Sequence, residues 1–383
     1  MPQIAVVGAG PAGCLAAKQL AAAGRDVTVI EEHQTAGRPA HCAGIVTAET
    51  IRMAGFRPDI LGTVCAADVV FPDGRRISVE RRNPIAYVID RPALDCRLAD
   101  QAAEYGAQFL YDERYISSVI TPREVRVQTV RGILTADLLI GADGQCSRVA
   151  ASLRDNAARE YLYGMQVDVL KEPADPYRMV LRLGRELAPG FFSWELPLGD
   201  RVRVGLCVTP QYGPPAPYLK KLLTQTGLNS SRVVARYVGK IPMGGRRITH
   251  GERTLLIGDA AGQVKPVSGG GLYPIFTAAP LLCRTIDRAY EMSDFSTTVL
   301  SLYDRAWKQA LGKEFDRGWQ LRKLFRRLDD RGLNRAGAMM DTPEIREILD
   351  TVDLDRPSDL AKPVLAQKGI KSKLLRLVVS ARL

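Results

Sequence analysis

Residues 2–32 read PQIAVVGAGPAGCLAAKQLAAAGRDVTVIEE, and no other stretch restricts the possible folds as much. Ile4 to Val7 is an apolar run of buried-strand length, and Val27 to Ile30 is a second. Between them, Gly8, Gly10 and Gly13 form a G-x-G-x-x-G turn, and Cys14 to Ala23 reads as an alanine-rich helix ending at Gly24. The three glycines serve different physical ends. Gly8 permits the tight turn, Gly10 lets a pyrophosphate approach the backbone, and Gly13 lets helix pack on strand. The helix N-terminus then turns free N–H groups and a positive dipole end toward that pyrophosphate. Glu31, 18 residues beyond Gly13, stands where an acid accepts hydrogen bonds from the ribose of an adenosine half. A lone fingerprint carries little weight, whereas one set between two strands and closed by an acid defines a dinucleotide site. FAD and NAD both remain open at this point.

At 383 residues the chain is long enough for a large core and two intimately packed domains. Its 46% hydrophobic and 25% charged content excludes disorder. A net charge of +11 and a pI near 9.4 point to an acidic partner surface. Arg and Lys are spread along the chain without a nucleic-acid motif, so an anionic lipid surface or a phosphorylated substrate is favoured over nucleic acid. The seven cysteines, at 14, 42, 65, 96, 146, 207 and 283, include no C-x-x-C pair. That spacing suits neither a zinc site nor a disulfide framework; it predicts a reducing, cytoplasmic setting and no bound metal. The first strand follows Met1 without a basic n-region and is expected to belong to the fold rather than to a signal peptide. No apolar run reaches the ~18 residues of a membrane span.

Beyond Glu31, GRPAHCAGIVT at Gly37 to Thr47 is a loop able to fold over a cofactor, and small residues around Cys42 allow close approach of a flat ring. Taken alone, such a cysteine is more often a small buried hydrophobe. Val64 to Phe71 and Arg76 to Val79 flank the Asp73-Gly74 turn of a hairpin, and Ile85 to Ile89 is a further strand. Asp90-Arg91 then open a helix through Tyr105, where Arg91 either reaches back to a phosphate or flavin or stands solvated. Tyr115 to Arg131 alternates in strand fashion, and Leu138 to Ile140 is a buried strand ending in Gly-Ala-Asp-Gly. From Glu160 to Val208 the segments YLYGMQVDVL, RMVLRLG, FFSWELP and RVRVGLCV form a contiguous β block. This block reads as a second sheet walling the active site, with an apolar, aromatic character from Phe191, Phe192, Trp194 and Pro197. Thr254 to Ile257 leads into GDAAG at 258–262 and a glycine triplet at 269–271 before a helix through Tyr290. Here is a second anion-friendly helix N-terminus, with Asp259 suited to a ribityl hydroxyl and the triplet to close approach of a flavin ring.

In this order, the G-x-G-x-x-G with Glu31, the Asp90-Arg91 helix start, GADG at 141–144 and GDAAG at 258–262 resemble the FAD motifs of the flavoprotein fold that includes p-hydroxybenzoate hydroxylase. Within it, P-x-x-C-x-G at Pro39 to Gly44, GDAAGQVKPVSGGG at 258–271 and FSWELP at Phe192 to Pro197 are similar to the geranylgeranyl reductase family, including archaeal digeranylgeranylglycerophospholipid reductases. The likeness spans residues 3–330. It implies an α/β fold: a Rossmann-like FAD-binding domain of residues 1–62, 86–155 and 245–295, interleaved with an antiparallel β-sheet substrate domain of 63–85 and 156–244, then a C-terminal helical region at 296–383. It further implies FAD held by Gly8, Gly10, Ala12, Gly13, Glu31, Cys42, Ala43, Gly44, Arg91, Val119, Asp259, Gly270, Gly271 and Leu272. Phe192, Trp194 and Pro197 would line a long apolar tunnel for a prenyl chain, and Cys42 would be the catalytic proton donor or gate beside the flavin.

The implied reaction saturates an isoprenoid double bond with hydride from reduced flavin and a proton. An unactivated alkene has no carbonyl to polarise, so alignment and exclusion of water must supply much of the catalysis. His41 is the neighbour that the sequence offers for activating Cys42. Three departures from the family pattern bear on the substrate and flavin: Cys42 is followed by Ala43, Gly44 and Ile45 rather than an acid and a glycine, Phe192 and Leu196 replace two aromatics of Y-x-W-x-F-P, and Lys265 adds a positive charge expected to favour the anionic reduced flavin. The substrate is expected to be a prenylated lipid or prenyl diphosphate. With no second complete fingerprint, the electron donor is ferredoxin, a deazaflavin or transient NAD(P)H.

Tyr303, Trp307, Leu311, Phe315 and Trp319 recur every four residues as a helical core stripe. Residues 329–366 read as a loose helical link. At the end, Ile370, Leu374, Leu377, Val378 and Ala381 share one face, with Lys371, Lys373, Arg376 and Arg382 elsewhere. Such a basic amphipathic helix either lies on an anionic bilayer, making the protein peripheral at the cytoplasmic face of the membrane, or packs against the body. The rival readings are a flavin-dependent hydroxylase or halogenase of the same fold, and a non-enzymatic membrane flavoprotein.

Overall fold

A computed structural model describes residues 3–153 and 158–367; the basic helix predicted at 369–383 lies outside the described residues. β1 (Ile4–Val7), α1 (Pro11–Ala22) and β2 (Val27–Ile30) form the expected opening unit, with every residue of both strands buried. Proline at the first helical position presets the backbone for α1. Its small residues let it lie close to the sheet with most of its length buried. The chain then makes β3 (Ile45–Val46), α2 (Ala48–Ala54), β4 (Ile60–Val64), the hairpin β5 (Ala66–Val70) and β6 (Arg76–Glu80), and β7 (Ala86–Ile89). α3 (Arg91–Glu104), capped by the Asp90 carboxylate on Ala93 N–H, returns it to β8 (Gln108–Leu110). A meander of β9 (Tyr115–Ile120), β10 (Val125–Thr129) and β11 (Ile133–Ala136) precedes β12 (Leu138–Gly141) and the short α4 (Arg148–Ser152).

The β block follows as β13 (Glu160–Val169), β14 (Arg178–Leu183), β15 (Phe192–Pro197) and β16 (Val202–Val208), then α5 (Ala216–Gln225) and the long β17 (Val233–Met243). β18 (His250–Gly251) and β19 (Thr254–Leu256) rejoin the first sheet, and the remainder is helical: α6 (Leu272–Glu291), α7 (Thr297–Arg327), α8 (Asp330–Met340), α9 (Pro343–Leu349) and α10 (Ala361–Ala366). The first sheet has the order β18-β19-β12-β1-β2-β8, parallel except for the β18 edge, and places β1 beside both β2 and β12. The second has the order β17-β13-β16-β15-β14-β5-β6, antiparallel except where β14 meets β5.

The two faces of this second sheet have different roles, because residues two apart along a strand share a face. Val167, Val169, Val204, Leu206 and Val208 point to the back, where α5 covers them with Leu219 and Leu222. Trp194, Leu196, Leu162 and Met243 point to the front and pack with Val264, Ala43 and Ile45, so the wall faces the loop that carries Cys42. The α7 stripe is core as predicted: Tyr303, Trp307, Leu311 and Phe315 are buried against the first sheet's helices, while Trp319 packs on the wall cluster. The link predicted to be loose is instead packed, because Leu333 buries against Phe71 and Ile77 of the β5–β6 hairpin region, joined by Met340 and Leu349.

Candidate active site

The glycine turn is as tight as its pattern requires. A Cβ on Gly8, which has φ +104°, would lie 2.4 Å from the Ala142 carbonyl oxygen, and one on Gly13 would lie 1.9 Å from the Gly8 carbonyl oxygen. A Cβ on Gly10, by contrast, would meet nothing within 4 Å, so the turn opens to free space in front of α1. No side chain caps α1, which leaves its first N–H groups for a ligand. Glu31 closes this turn: Oε2 accepts the Ala9 N–H at 2.7 Å, and Oε1 accepts from the His33 N–H at 3.0 Å and lies 2.6 Å from His33 Nδ1. A carboxylate oxygen can accept a further bond, so these contacts orient Glu31 without exhausting it.

The second glycine stretch converges on the first. A Cβ on Gly258 would sit 2.8 Å from the Ala12 methyl group, and one on Gly271 would sit 3.3 Å from Asp259 Oδ1. Gly271 precedes Leu272 at the start of α6, again without a side-chain cap. Gln263 holds the turn from beneath, accepting the Gly258 N–H at 2.8 Å and donating to the Tyr303 hydroxyl at 2.8 Å. No described residue donates to the Asp259 carboxylate; burial pushes it up to about 6, with Arg91 pulling the other way. Asp143 of the GADG turn is a purely local brace. It accepts the Ser147 hydroxyl at 2.5 Å and the backbone N–H groups of Arg148 and Val149, fixing the start of α4. Val119 stands on β9 opposite Arg126, 62% exposed, and no hydrogen bond among the described residues ties it to either glycine turn.

Arg91 is neither solvated nor free. Its guanidinium is chelated by Asp95 at 3.1 Å through both Nε and Nη2. Burial works against its charge, but Asp95 first and then the adjacent Cys42 side chain outweigh that and hold it protonated. The exposed Cys42 thus has a cation beside it that the sequence did not suggest. His41, the expected activating neighbour, turns away: its Nδ1 lies 2.7 Å from the Val238 carbonyl, which can only accept, so this nitrogen is a donor committed to β17.

The wall grips the loop at successive residues. Gln166 donates to the Cys42 carbonyl at 2.9 Å, and Arg203 donates to the Ala43 carbonyl at 2.9 Å. Arg203 is itself fixed by Asp168 at 2.7 and 2.9 Å, and Tyr237 donates to the same carboxylate at 3.0 Å. The Cys42 sulfur lies 3.3 Å from the Gly44 nitrogen, and a Cβ on Gly44 would come 2.5 Å from the Ile89 carbonyl oxygen. Gln166, Asp168, Arg203 and Tyr237 escaped the sequence reading. For the first three, the available signal was a polar side chain among the apolar residues of a strand, MQVDV in β13 and VRV in β16.

The aromatic residues are packed rather than arrayed along an open tunnel. Phe191 and Phe192 stack at 4.1 Å, Trp194 meets Phe192 edge-on at 6.3 Å, and Pro197 is buried with its carbonyl against Gly62. An open cavity of about 660 Å³ lies elsewhere, between Gln145, Tyr163, the Pro210–Pro215 turn and the β17 residues Val238 to Lys240. Lys265 also departs from expectation. Its amine sits under Gly270 but is neutralised by Asp355 at 2.8 Å and bonded to the Leu354 carbonyl at 2.7 Å, so it presents no free charge.

A dinucleotide flavin fits this arrangement. Two uncapped helix N-termini, an open space before Gly10 and an unpartnered Asp259 carboxylate are donors and acceptors that a pyrophosphate and a ribityl chain satisfy. Among solved structures, the chain is similar to a geranylgeranyl bacteriochlorophyll reductase-like protein from Thermoplasma acidophilum, with a TM-score of 0.86 at 21% identity over 98% of this chain and 99% of that one. It is also similar to the flavin-dependent halogenase CmlS, with a TM-score of 0.68 at 17% identity over 99% of this chain and 77% of that one. Fold and site together define a flavoprotein with a β-sheet wall over its cofactor site. A family model described as lycopene cyclase protein matches residues 3–352. The digeranylgeranylglycerophospholipid reductase of Methanothrix thermoacetophila is 32% identical over 361 residues, 87% of this chain and 89% of that protein. The protein of the same name from Methanosphaerula palustris is 29% identical over 86% of this chain and 88% of that protein. The chain belongs to the family of these reductases.

Proposed function

We propose that this protein is an FAD-dependent reductase that saturates the double bonds of an isoprenoid lipid. The observation that carries the reading is the placement of Cys42: the loop bearing P-x-x-C-x-G is fastened to an apolar, aromatic wall by Gln166 and Arg203 and abuts Arg91, whose charge also acts on Asp259 of the second glycine turn. The N–H groups at the start of α1 and Glu31 would hold the adenosine diphosphate half, and Asp259, Gly270, Gly271 and Leu272 the flavin half. Ala43 and Gly44 belong to the same cofactor surface in this reading, whereas Val119 lies toward the far end of β9, beyond which the Pro122 carbonyl accepts from Arg253 at the other edge of the first sheet. When bound and reduced, the flavin supplies the hydride equivalent that one alkene carbon gains.

The protein's own residues supply the rest. Cys42 holds a proton at Sγ for the other carbon, and the Gly44 N–H and the Arg91 guanidinium are the groups that face the sulfur once that proton has left. Phe192 and Trp194 give the prenyl chain an apolar surface and keep water from it. The substrate is a prenylated lipid or prenyl diphosphate, and the electrons come from a separate donor of the ferredoxin, deazaflavin or NAD(P)H type. No helix among the described residues is long and apolar enough to cross a membrane. Access to an insoluble substrate is assigned instead to the basic residues of the C-terminal sequence, Lys371, Lys373, Arg376 and Arg382, acting at the cytoplasmic face of a bilayer.

Anaerobic mixing of dithionite-reduced protein with prenyl lipids tests this directly. The expected result is reoxidation of the flavin together with a mass gain of one hydrogen molecule per double bond. Flavin that stays reduced with every prenyl lipid offered, or turnover that requires oxygen, overturns it.

A further inference from the structure

One side chain joins the aromatic wall to Cys42. Gln166, 2% exposed on β13, accepts the Trp194 indole N–H at 3.2 Å and donates from its amide nitrogen to the Cys42 carbonyl oxygen at 2.9 Å. The amide has a single acceptable orientation here, because an indole nitrogen only donates and a carbonyl only accepts. Packing removes alternative rotamers as well. Gly205 lies beneath both side chains, where a Cβ would come 2.5 Å from Gln166 Cβ and 2.6 Å from the Trp194 ring. Trp194 is in turn edge-on to Phe192, so the path runs from the aromatic surface through Trp194 and Gln166 to the residue that carries the thiol. Arg203 anchors the next residue, Ala43, and therefore limits loop motion without reading the position of the indole.

We propose that Gln166 is a positioning residue that couples the Trp194 indole to Cys42, so that what lies against the aromatic wall sets where the Cys42 sulfur stands. A shift of the indole leaves either its own buried N–H or the Gln166 carbonyl unpaired, and the cost of an unmade buried hydrogen bond drives the amide to follow. The Cys42 carbonyl moves with the amide, and the thiol moves with its own backbone. The importance of this for turnover rests on the reading of Cys42 as the active thiol; the coupling itself does not.

The test is alkylation of the FAD-loaded, full-length protein with iodoacetamide, resolved cysteine by cysteine by peptide mass spectrometry. Cys146, also exposed, is the reference, and buried Cys14, Cys207 and Cys283 report unfolding. Gln166→Met removes both bonds at similar volume, and Trp194→Phe removes only the indole donor. Each is expected to change the Cys42-to-Cys146 rate ratio in the same direction, Gln166→Met by about fivefold, the effect of one buried hydrogen bond on a loop equilibrium. The double variant is expected to match Gln166→Met, since both changes act through one path.

Ratios unchanged in both single variants overturn the proposal, as do fully additive effects in the double variant. If Gln166→Met labels the buried cysteines, Trp194→Phe decides alone: a shifted ratio with those cysteines unlabelled supports the coupling, and an unshifted one refutes it. The two readings fail separately. Prenyl turnover unaltered by Cys42→Ser would remove the thiol from the chemistry and leave the labelling result standing.

Discussion

Replacing Asp355 with alanine strands a buried cation. Lys265 and Asp355 are 8% and 4% exposed at the side chain, and their ion pair is 2.8 Å long. The same carboxylate also accepts the Thr50 hydroxyl at 2.9 Å and the Thr47 hydroxyl, so it ties the segment before α10 both to the start of α2 and to the loop beneath Gly270. Removing one partner of such a pair costs about 3–5 kcal/mol, because the remaining charge is left in a place with little water. Replacing both partners with apolar residues of similar volume is often close to neutral. The double variant Lys265→Met/Asp355→Leu is therefore expected to be more stable than Asp355→Ala, although it carries one more change. Chemical unfolding of the flavin-free protein, followed by tryptophan fluorescence, measures this. A double-mutant cycle through Lys265→Met and Asp355→Leu should give a coupling of about 2–3 kcal/mol. If the double variant loses as much as the two single variants added together, the pair contributes no mutual stabilisation and the reasoning fails.

Three other outcomes are expected. Asp259, whose ordinary value of 3.8 is raised by burial to about 6, binds its proton more tightly in the folded protein than in the unfolded one. Its contribution to the stability of the flavin-free protein thus falls as pH rises from about 4 to about 6, and Asp259→Asn should flatten that part of a stability–pH curve. Cys42→Ser should retain flavin yet lower prenyl turnover by about a hundredfold, the lower range for a positioned proton donor, as read by product mass spectrometry. Binding to anionic vesicles should weaken with salt over a Debye length of about 8 Å. Deleting residues 369–383 should reduce that sedimentation, since each cation near such a surface contributes about 1 kcal/mol.

Local pattern was enough for much of this protein. Three glycines at fixed spacing between two apolar strands can make only one kind of turn, so β1, α1, β2 and the position of Glu31 were legible before any tertiary contact. The Asp73-Gly74 hairpin and the stripe from Tyr303 to Phe315 were legible for the same reason, because turn chemistry and the period of four act over a few residues. What the active-site loop touches was not. Gln166 reaches Cys42 across 124 positions, Arg203 reaches Ala43 across 160, and Asp355 reaches Lys265 across 90. In each case the strand or loop pattern says which face a side chain takes, but its partner depends on how two distant segments are brought into register. The same limit explains His41 and Lys265. Adjacent residues in an extended loop point to opposite sides, so His41 turns to Val238 while Cys42 faces Arg91, and a lysine that looks like a free charge in the sequence meets its carboxylate because the C-terminal segment packs back onto α2. Sequence by itself determined the cofactor turns and the layers. The tertiary structure decided the neighbours of the thiol, because buried polar groups must find partners wherever the packed chain offers them.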